Sequence, residues 1–166
     1  MDALTETQIR ASFVNCSKGE AKRLNLPSDL GDRDWDGLDF LGWVDPKAPQ
    51  QSYLVVPTEE HGLVGIQLRR NTSTAGPRRA RMCSLCLTTH SGQGVSLMVA
   101  ARAGRSGRNG NSVGLDICSA LECSLYARGR LKAPTVSAAH ETLSTDERVA
   151  RLRRNVLAFV DRALRS

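Results

Sequence analysis

Apolar residues recur at intervals of three and four mainly at the two ends of the chain. Toward the C-terminus, Val149, Leu152, Val156, Phe159, Val160 and Ala163 keep that spacing and so share one face of a helix. Ser144 and Glu147 stand ahead of them at capping-box spacing, where each side chain satisfies a free backbone N–H. Asp146 adds a carboxylate at the positive helix end. The helix's arginines fall largely on its other, solvated face. At the N-terminus the pairs Thr5 with Gln8 and Ser17 with Glu20 repeat the capping-box spacing, and Ile9, Phe13 and Val14 make a modest apolar stripe. Two short helices are expected there, the second stopped by Pro27.

Between these ends the period changes. Leu38–Val44, Tyr53–Val56 and Leu63–Leu68 are short apolar and β-branched runs. Asp45-Pro46 closes the first, and the other two, parted by Pro57–Gly62, read as an antiparallel hairpin. Val95–Ala101 and Ser112–Ile117 read as a second hairpin. Its connection, Arg102–Asn111, carries Gly104, Gly107 and Gly110 and is expected to be a flexible basic loop. It has neither the Gly-Lys-Ser/Thr ending of a P-loop nor the glycine spacing of a dinucleotide fold. A helix is expected after Cys118 through about Arg130, then a loop with His140. The pattern predicts an α+β chain with antiparallel strands, short N-terminal helices and a C-terminal helix. It divides into an N-terminal helical arm and acidic loop (1–37) and a main domain (38–166), packed as one compact unit.

The composition makes a metal staple useful. Of the 166 residues 40% are hydrophobic but only 4% aromatic, so the core must rest on Leu, Val, Ala and Ile. The polar start lacks the apolar region of a signal peptide, and no apolar run approaches the roughly 18 residues of a membrane span. A cytoplasmic location is therefore expected, where clustered thiols bind metal more readily than they form disulfides.

Cys83-Ser-Leu-Cys86 and Cys118-Ser-Ala-Leu-Glu-Cys123 form two pairs. Two residues between thiols let a tight knuckle aim both sulfurs at one ion. A cysteine just before a helix and another one turn in can point the same way. Four thiolates suit one tetrahedral, structural zinc ion (Zn2+) with no open position for catalysis. The order knuckle, hairpin, helix is that of a treble-clef zinc finger. Three other readings stand beside it: a redox Cys-x-x-Cys, buried free thiols, and a site of three cysteines with His90. Cys16 is left over as a small apolar residue.

Charge is segregated along the chain. Residues 1–68 hold 6 Lys/Arg against 11 Asp/Glu, whereas residues 69–132 hold 11 against 2. Either the two parts attract each other in the fold, or the basic part meets an anionic partner. The carboxylates of Asp29–Asp39 suit a solvated loop as readily as a site and lack the calcium-loop pattern. His61, His90 and His140 belong to no catalytic constellation, so an enzyme is not expected.

Several segments are distinctive together: Phe13-Val14-Asn15-Cys16, Leu38-Asp39-Phe40-Leu41-Gly42-Trp43, Tyr53-Leu54-Val55-Val56, Met82-Cys83-Ser84-Leu85-Cys86, Gly110-Asn111-Ser112-Val113-Gly114, Ile117-Cys118 and Cys123-Ser124-Leu125-Tyr126. They resemble the C-terminal treble-clef zinc-finger domain of the elongation factor G-binding protein family, which includes the fusidic acid resistance proteins. The resemblance runs from about residue 10 to about residue 165. It implies a protein that binds elongation factor G and speeds its release from the ribosome, modifying no drug and catalysing no reaction. The family's resistance proteins carry a helical bundle ahead of this domain. The residues before Leu38 suffice for two short helices but not for an independent bundle. The alternative partner is ribosomal RNA or another nucleic acid, against which counts the near absence of aromatic residues from the basic segment. Candidate contacts for an acidic surface are Arg69, Arg70, Arg78, Arg79 and Arg81, with Arg102, Arg105 and Arg108 of the hairpin loop. Tyr126, Arg128, Arg130 and Lys132 follow the second cysteine pair and are further candidates.

Overall fold

The computed structural model describes residues 1–71, 80–132 and 142–165. Arg78, Arg79, Pro134 and His140 lie outside the described residues. The capping boxes form as read, each with both reciprocal hydrogen bonds. They start α1 (Glu6–Ala11), α2 (Lys18–Arg23) and α5 (Thr145–Leu164). A 3-10 turn spans Trp35–Gly37.

The strands are β1 (Leu41–Val44), β2 (Gln51–Thr58), β3 (Gly62–Arg70), β6 (Val95–Ala101) and β7 (Ser112–Cys118), in one antiparallel sheet ordered β1-β2-β3-β6-β7. A second, two-stranded sheet pairs β4 (Arg81–Met82) with β5 (Thr89–His90). Both expected hairpins are present. The first strand begins at Leu41 rather than Leu38, because Leu38 N–H closes the 3-10 turn on Trp35 O and Asp39 is engaged elsewhere.

Alternation sorts the sheet's side chains into two layers. Leu54, Val56, Val64, Ile66 and Leu68 join the cysteines and the apolar stripe of α5, Leu152 to Ala163, in the larger cluster. Leu41, Trp43, Tyr53 and Val55 face the other way and bury Ile9 and Leu24 of the N-terminal segment. Three of the scarce aromatics meet here: Phe13 stands edge-on to Tyr53 at 5.8 Å, and Trp43 lies 4.9 Å from Tyr53. The arm is also hydrogen-bonded to the sheet, Val14 N to Gly65 O at 3.0 Å and Gly65 N to Ser12 O at 2.8 Å. A Cβ on Gly65 would lie 2.5 Å from Ser12 Oγ and 3.0 Å from Phe13 N, so this approach requires glycine.

Two expectations need correction. The connection 102–111 is not an open loop but carries α3 (Gly104–Arg108). Its glycines serve compactness: a Cβ on Gly107 would sit 1.8 Å from Arg102 O, and Gly110 has φ +88. The helix after Cys118 is only α4 (Cys123–Ala127). It ends before Arg130 because Gly129, at φ +69, turns the chain and Arg130 N bonds back to Leu125 O.

Candidate metal centre

Each cysteine pair is held by a turn that its own sequence makes. In Cys83–Cys86, Leu87 N donates to Cys83 O at 2.9 Å and Leu85 N to Cys83 Sγ at 3.4 Å, while Cys83 N reaches Thr88 O at 2.9 Å. Cys118 ends β7, Leu121 N closes a turn on Cys118 O at 2.9 Å, and Cys123 is the first residue of α4. The expected cysteine one turn into a helix is thus a cysteine at its start. Leu87 (φ 60) and Leu121 (φ 61) adopt the left-handed conformation, which costs a non-glycine residue about 1 kcal/mol. Each sits where the chain must reverse to aim a thiol inward.

The turns bring all four sulfurs together. Cys83 Sγ lies 3.7 Å from Cys123 Sγ and Cys86 Sγ 3.6 Å from Cys118 Sγ, and the four lie within 4.8 Å of one another. A tetrahedron with Zn–S near 2.3 Å requires S···S near 3.8 Å, whereas a disulfide requires about 2.05 Å. The four cysteines are free thiols, all buried. Hydrogen bonds from Cys118 and Cys123 hold the Cys83 thiol far below its ordinary value. Cys123 is pushed well above its own by its bonds to Cys118 and Cys83 and by burial. Four thiols at this spacing cannot all ionise without a cation between them. The group is suited to one zinc ion, and four protein ligands leave that ion no open position.

The rest of the fold grips the knuckle from outside. Asn155 of α5 donates to Leu85 O at 2.9 Å, and Ser84 N donates to Asp116 O of β7 at 2.7 Å. His90 stands outside the four-sulfur set, 3% exposed, with Nε2 3.4 Å from Cys118 Sγ and its ring edge-on to Tyr126 at 4.8 Å. Burial depresses its pKa; with zinc bound, the Cys118 thiolate could only accept, so the ring would donate Nε2–H to that sulfur. Replacing His90 with Phe keeps the ring's packing and removes the donor. Zinc transfer to a competing chelator is expected to quicken about tenfold, with secondary structure unchanged. An unaltered transfer rate would assign His90 to packing alone.

The basic candidates divide. Arg81 pairs with Asp116 at 2.6 Å. Arg128 pairs with Asp39 at 2.5 Å, and Arg130 pairs with Asp34. Tyr126 is half-buried against His90. Arg102 is half-buried, and Arg105 and Lys132 are exposed. The acidic segment and the basic segment therefore do attract each other in the fold, leaving part of the basic set free. Asp39 is the clearest residue the sequence reading passed over. Its fully buried side chain also accepts from Arg153 Nε at 2.8 Å, so one carboxylate ties α4 and α5 to the entry of β1. The sequence signal was its place between apolar residues, Leu38 and Phe40. His90 had a signal too, its place four residues after Cys86. His61 is exposed beside Glu60, and Cys16 is half-buried. Among the described residues no other group of three metal-type ligands forms, and no helix is long and apolar enough to cross a membrane.

Comparison with known proteins agrees with this architecture. The family model described as the FBP C-terminal treble-clef zinc-finger matches residues 8–163. Among solved structures, that of the fusidic acid resistance protein FusC superposes with a TM-score of 0.55 at 16% identity, covering 75% of this chain. At that identity the likeness speaks to the fold. The chain spans about half of FusC, 52% of that structure's length. No curated protein matches the chain in sequence.

Proposed function

Because this chain belongs to the FBP C-terminal treble-clef zinc-finger family, we propose that it binds translation elongation factor G and modulates the factor's release from the ribosome. The observation that carries this reading is the family match, which runs from α1 through α5 and takes in all four cysteines. Cys83, Cys86, Cys118 and Cys123 hold one structural zinc ion, and the protein acts in the cytoplasm by binding rather than by catalysis. The closed metal site agrees with that role. A zinc-stapled sheet presents its surface already ordered, so less entropy is lost on association.

The contact surface is basic. Arg102, Arg105 and Lys132, with Arg78 and Arg79, face the factor. Arg81 and Arg128, engaged with Asp116 and Asp39, and Tyr126, packed on His90, are the further contact candidates. A direct contact with ribosomal RNA is the second reading, favoured by the excess of arginine in residues 69–132.

Calorimetric titration of the zinc-loaded chain with elongation factor G from the same organism is expected to show a one-to-one complex with Kd of tens of micromolar or tighter, about −6 kcal/mol. Ribosomes holding the factor in the presence of fusidic acid are expected to release it faster when the chain is added. Absence of binding at those concentrations would refute the reading. Tighter, steeply salt-dependent binding to ribosomal RNA would replace it with the second.

A further inference from the structure

A groove of about 1000 Å³ lies beside α3, and its origin is a local parting of two strands. β3 and β6 pair only at Arg69↔Val99 and Arg70↔Met98. Beyond those positions the side chain of Asn15 takes the place of the ladder. It donates to Gln67 O at 2.9 Å and to Ala101 O at 3.0 Å, and accepts from Gln67 N at 2.8 Å. The backbone groups are thereby satisfied while the strands stand apart, so the concavity is built into the sheet. Gln51, Gln67 and Arg69 line it from the face that also carries Tyr53, and Gly107, Asn111 and Ser112 from the α3 side.

The α3 side is braced. Gly107 packs directly on Arg102 O, Asn111 N bonds Ser106 O at 3.1 Å, and Ala103 N reaches Ala163 O of α5 at 2.8 Å. Among the described residues no acidic residue lines the groove. Arg69 lines it, and α3 and its approach carry Arg102, Arg105 and Arg108. Among the described residues none of these four pairs with a carboxylate, whereas Arg10, Arg33, Arg81, Arg128, Arg130 and Arg153 all do.

We propose that this groove receives an extended, carboxylate-bearing segment of the protein partner. The inference rests on the reading of the chain as a binder of elongation factor G and locates the surface that the factor meets. Guanidinium forks match carboxylates two hydrogen bonds at a time. Gln50 and Ser112, both exposed in the lining, can each donate and accept, which suits a peptide backbone. A phosphodiester backbone only accepts, and among the described residues no Phe, Tyr or Trp lines the groove to stack a base.

The test compares wild type with R69E, R105E and, as a charge-matched control on the exposed part of α5, R154E. Each zinc-loaded chain is titrated with elongation factor G, with a deca-glutamate peptide and with oligouridylate, alongside its melting temperature and zinc content. R69E and R105E are expected to bind the factor and the acidic peptide at least tenfold more weakly at unchanged melting temperature, with R154E near wild type. If wild type binds the factor and R69E and R105E bind it equally well, the groove is refuted and the proposed function stands. If wild type ignores the factor but R69E and R105E lose the peptide, the proposed function falls and the groove stands. Equal loss in all three variants, or oligouridylate as the preferred ligand, overturns the groove. If R69E melts early, R105E, whose side chain is solvent-exposed, decides alone.

Discussion

Cys118→Ser is expected to leave the chain without a cooperative fold, and removal of zinc from the wild type by a strong chelator is expected to do the same. The scale of the effect follows from two magnitudes. A structural zinc ion contributes about 10–16 kcal/mol of binding free energy, which acts as folding free energy. A domain of this size has only about 5–15 kcal/mol of stability in total. Local structure at the site cannot replace the metal. α4 has five residues, β4 and β5 have two each, and Leu87 and Leu121 hold left-handed backbone there. Nor would the loss stay local. Cys83, Cys86, Cys118 and Cys123 belong to the same buried cluster as Phe159, Val160 and the inward residues of β2 and β3. Trp43 lies in the other cluster, across the sheet, with Trp35 packed against it, so tryptophan fluorescence reports whether the second layer goes as well. Far-UV circular dichroism and tryptophan fluorescence, followed together through a chelator titration, should change in one transition. A Cys118→Ser protein that stayed folded and had lost only partner binding would contradict the structural role.

Asp39→Asn is the second large effect. The carboxylate is fully buried, accepts from Arg128 through both oxygens and from Arg153 through one, and its backbone N–H donates to Ser124 Oγ at 3.0 Å. An amide of the same shape leaves Arg128, with a side chain only 15% exposed, facing a group that cannot neutralise it. Breaking a buried ion pair from one side costs about 3–5 kcal/mol; the exposure of Arg153 puts this case near the lower end. Burial raises the Asp39 pKa, but the hydrogen bonds from Arg128 and Arg153 outweigh it and hold the carboxyl below its ordinary 3.8. The group is thus ionised in both folded and unfolded chains from about pH 5 upward. Its contribution is present above about pH 4 and is lost as pH falls through the lowered folded value. Urea midpoints of wild type and Asp39→Asn should therefore differ by the same amount at pH 5 and at pH 7.5. A difference that disappeared at pH 5 would mean that Asp39 is protonated there and that the ion pairs are weak.

The signals that were legible in the sequence are those decided within a few residues. A capping box needs only a residue and the one three places on, and all three form. The stripe from Val149 to Ala163 needs only the pitch of a helix, and its residues Leu152, Val156, Phe159, Val160 and Ala163 are buried. The two cysteine spacings, with a hairpin between them, were enough to infer a four-sulfur group. Glycine spacing in residues 102–111 predicts flexibility, yet the segment is a compact helical turn. Gly107 is there because Arg102 O occupies the space of its side chain, a contact that spacing alone does not show.

Which arginines remain free was decided only by the tertiary structure. Arg128 and Arg105 look alike in the sequence, yet one faces Asp39 from 89 residues away and the other faces solvent. The same is true of Asn15, whose amide closes the gap between β3 and β6 from 52 and 86 residues away. The sequence by itself determined the capped helices, the two long hairpins, their order and the thiols that a metal would draw together, because those follow from backbone geometry and short-range hydrogen bonding. Charge pairing and the parting of two strands depend on what packing brings near. The buried carboxylate of Asp39 selects its guanidinium partners by proximity in the fold, and the spacing of arginines along the chain does not reveal which ones it meets.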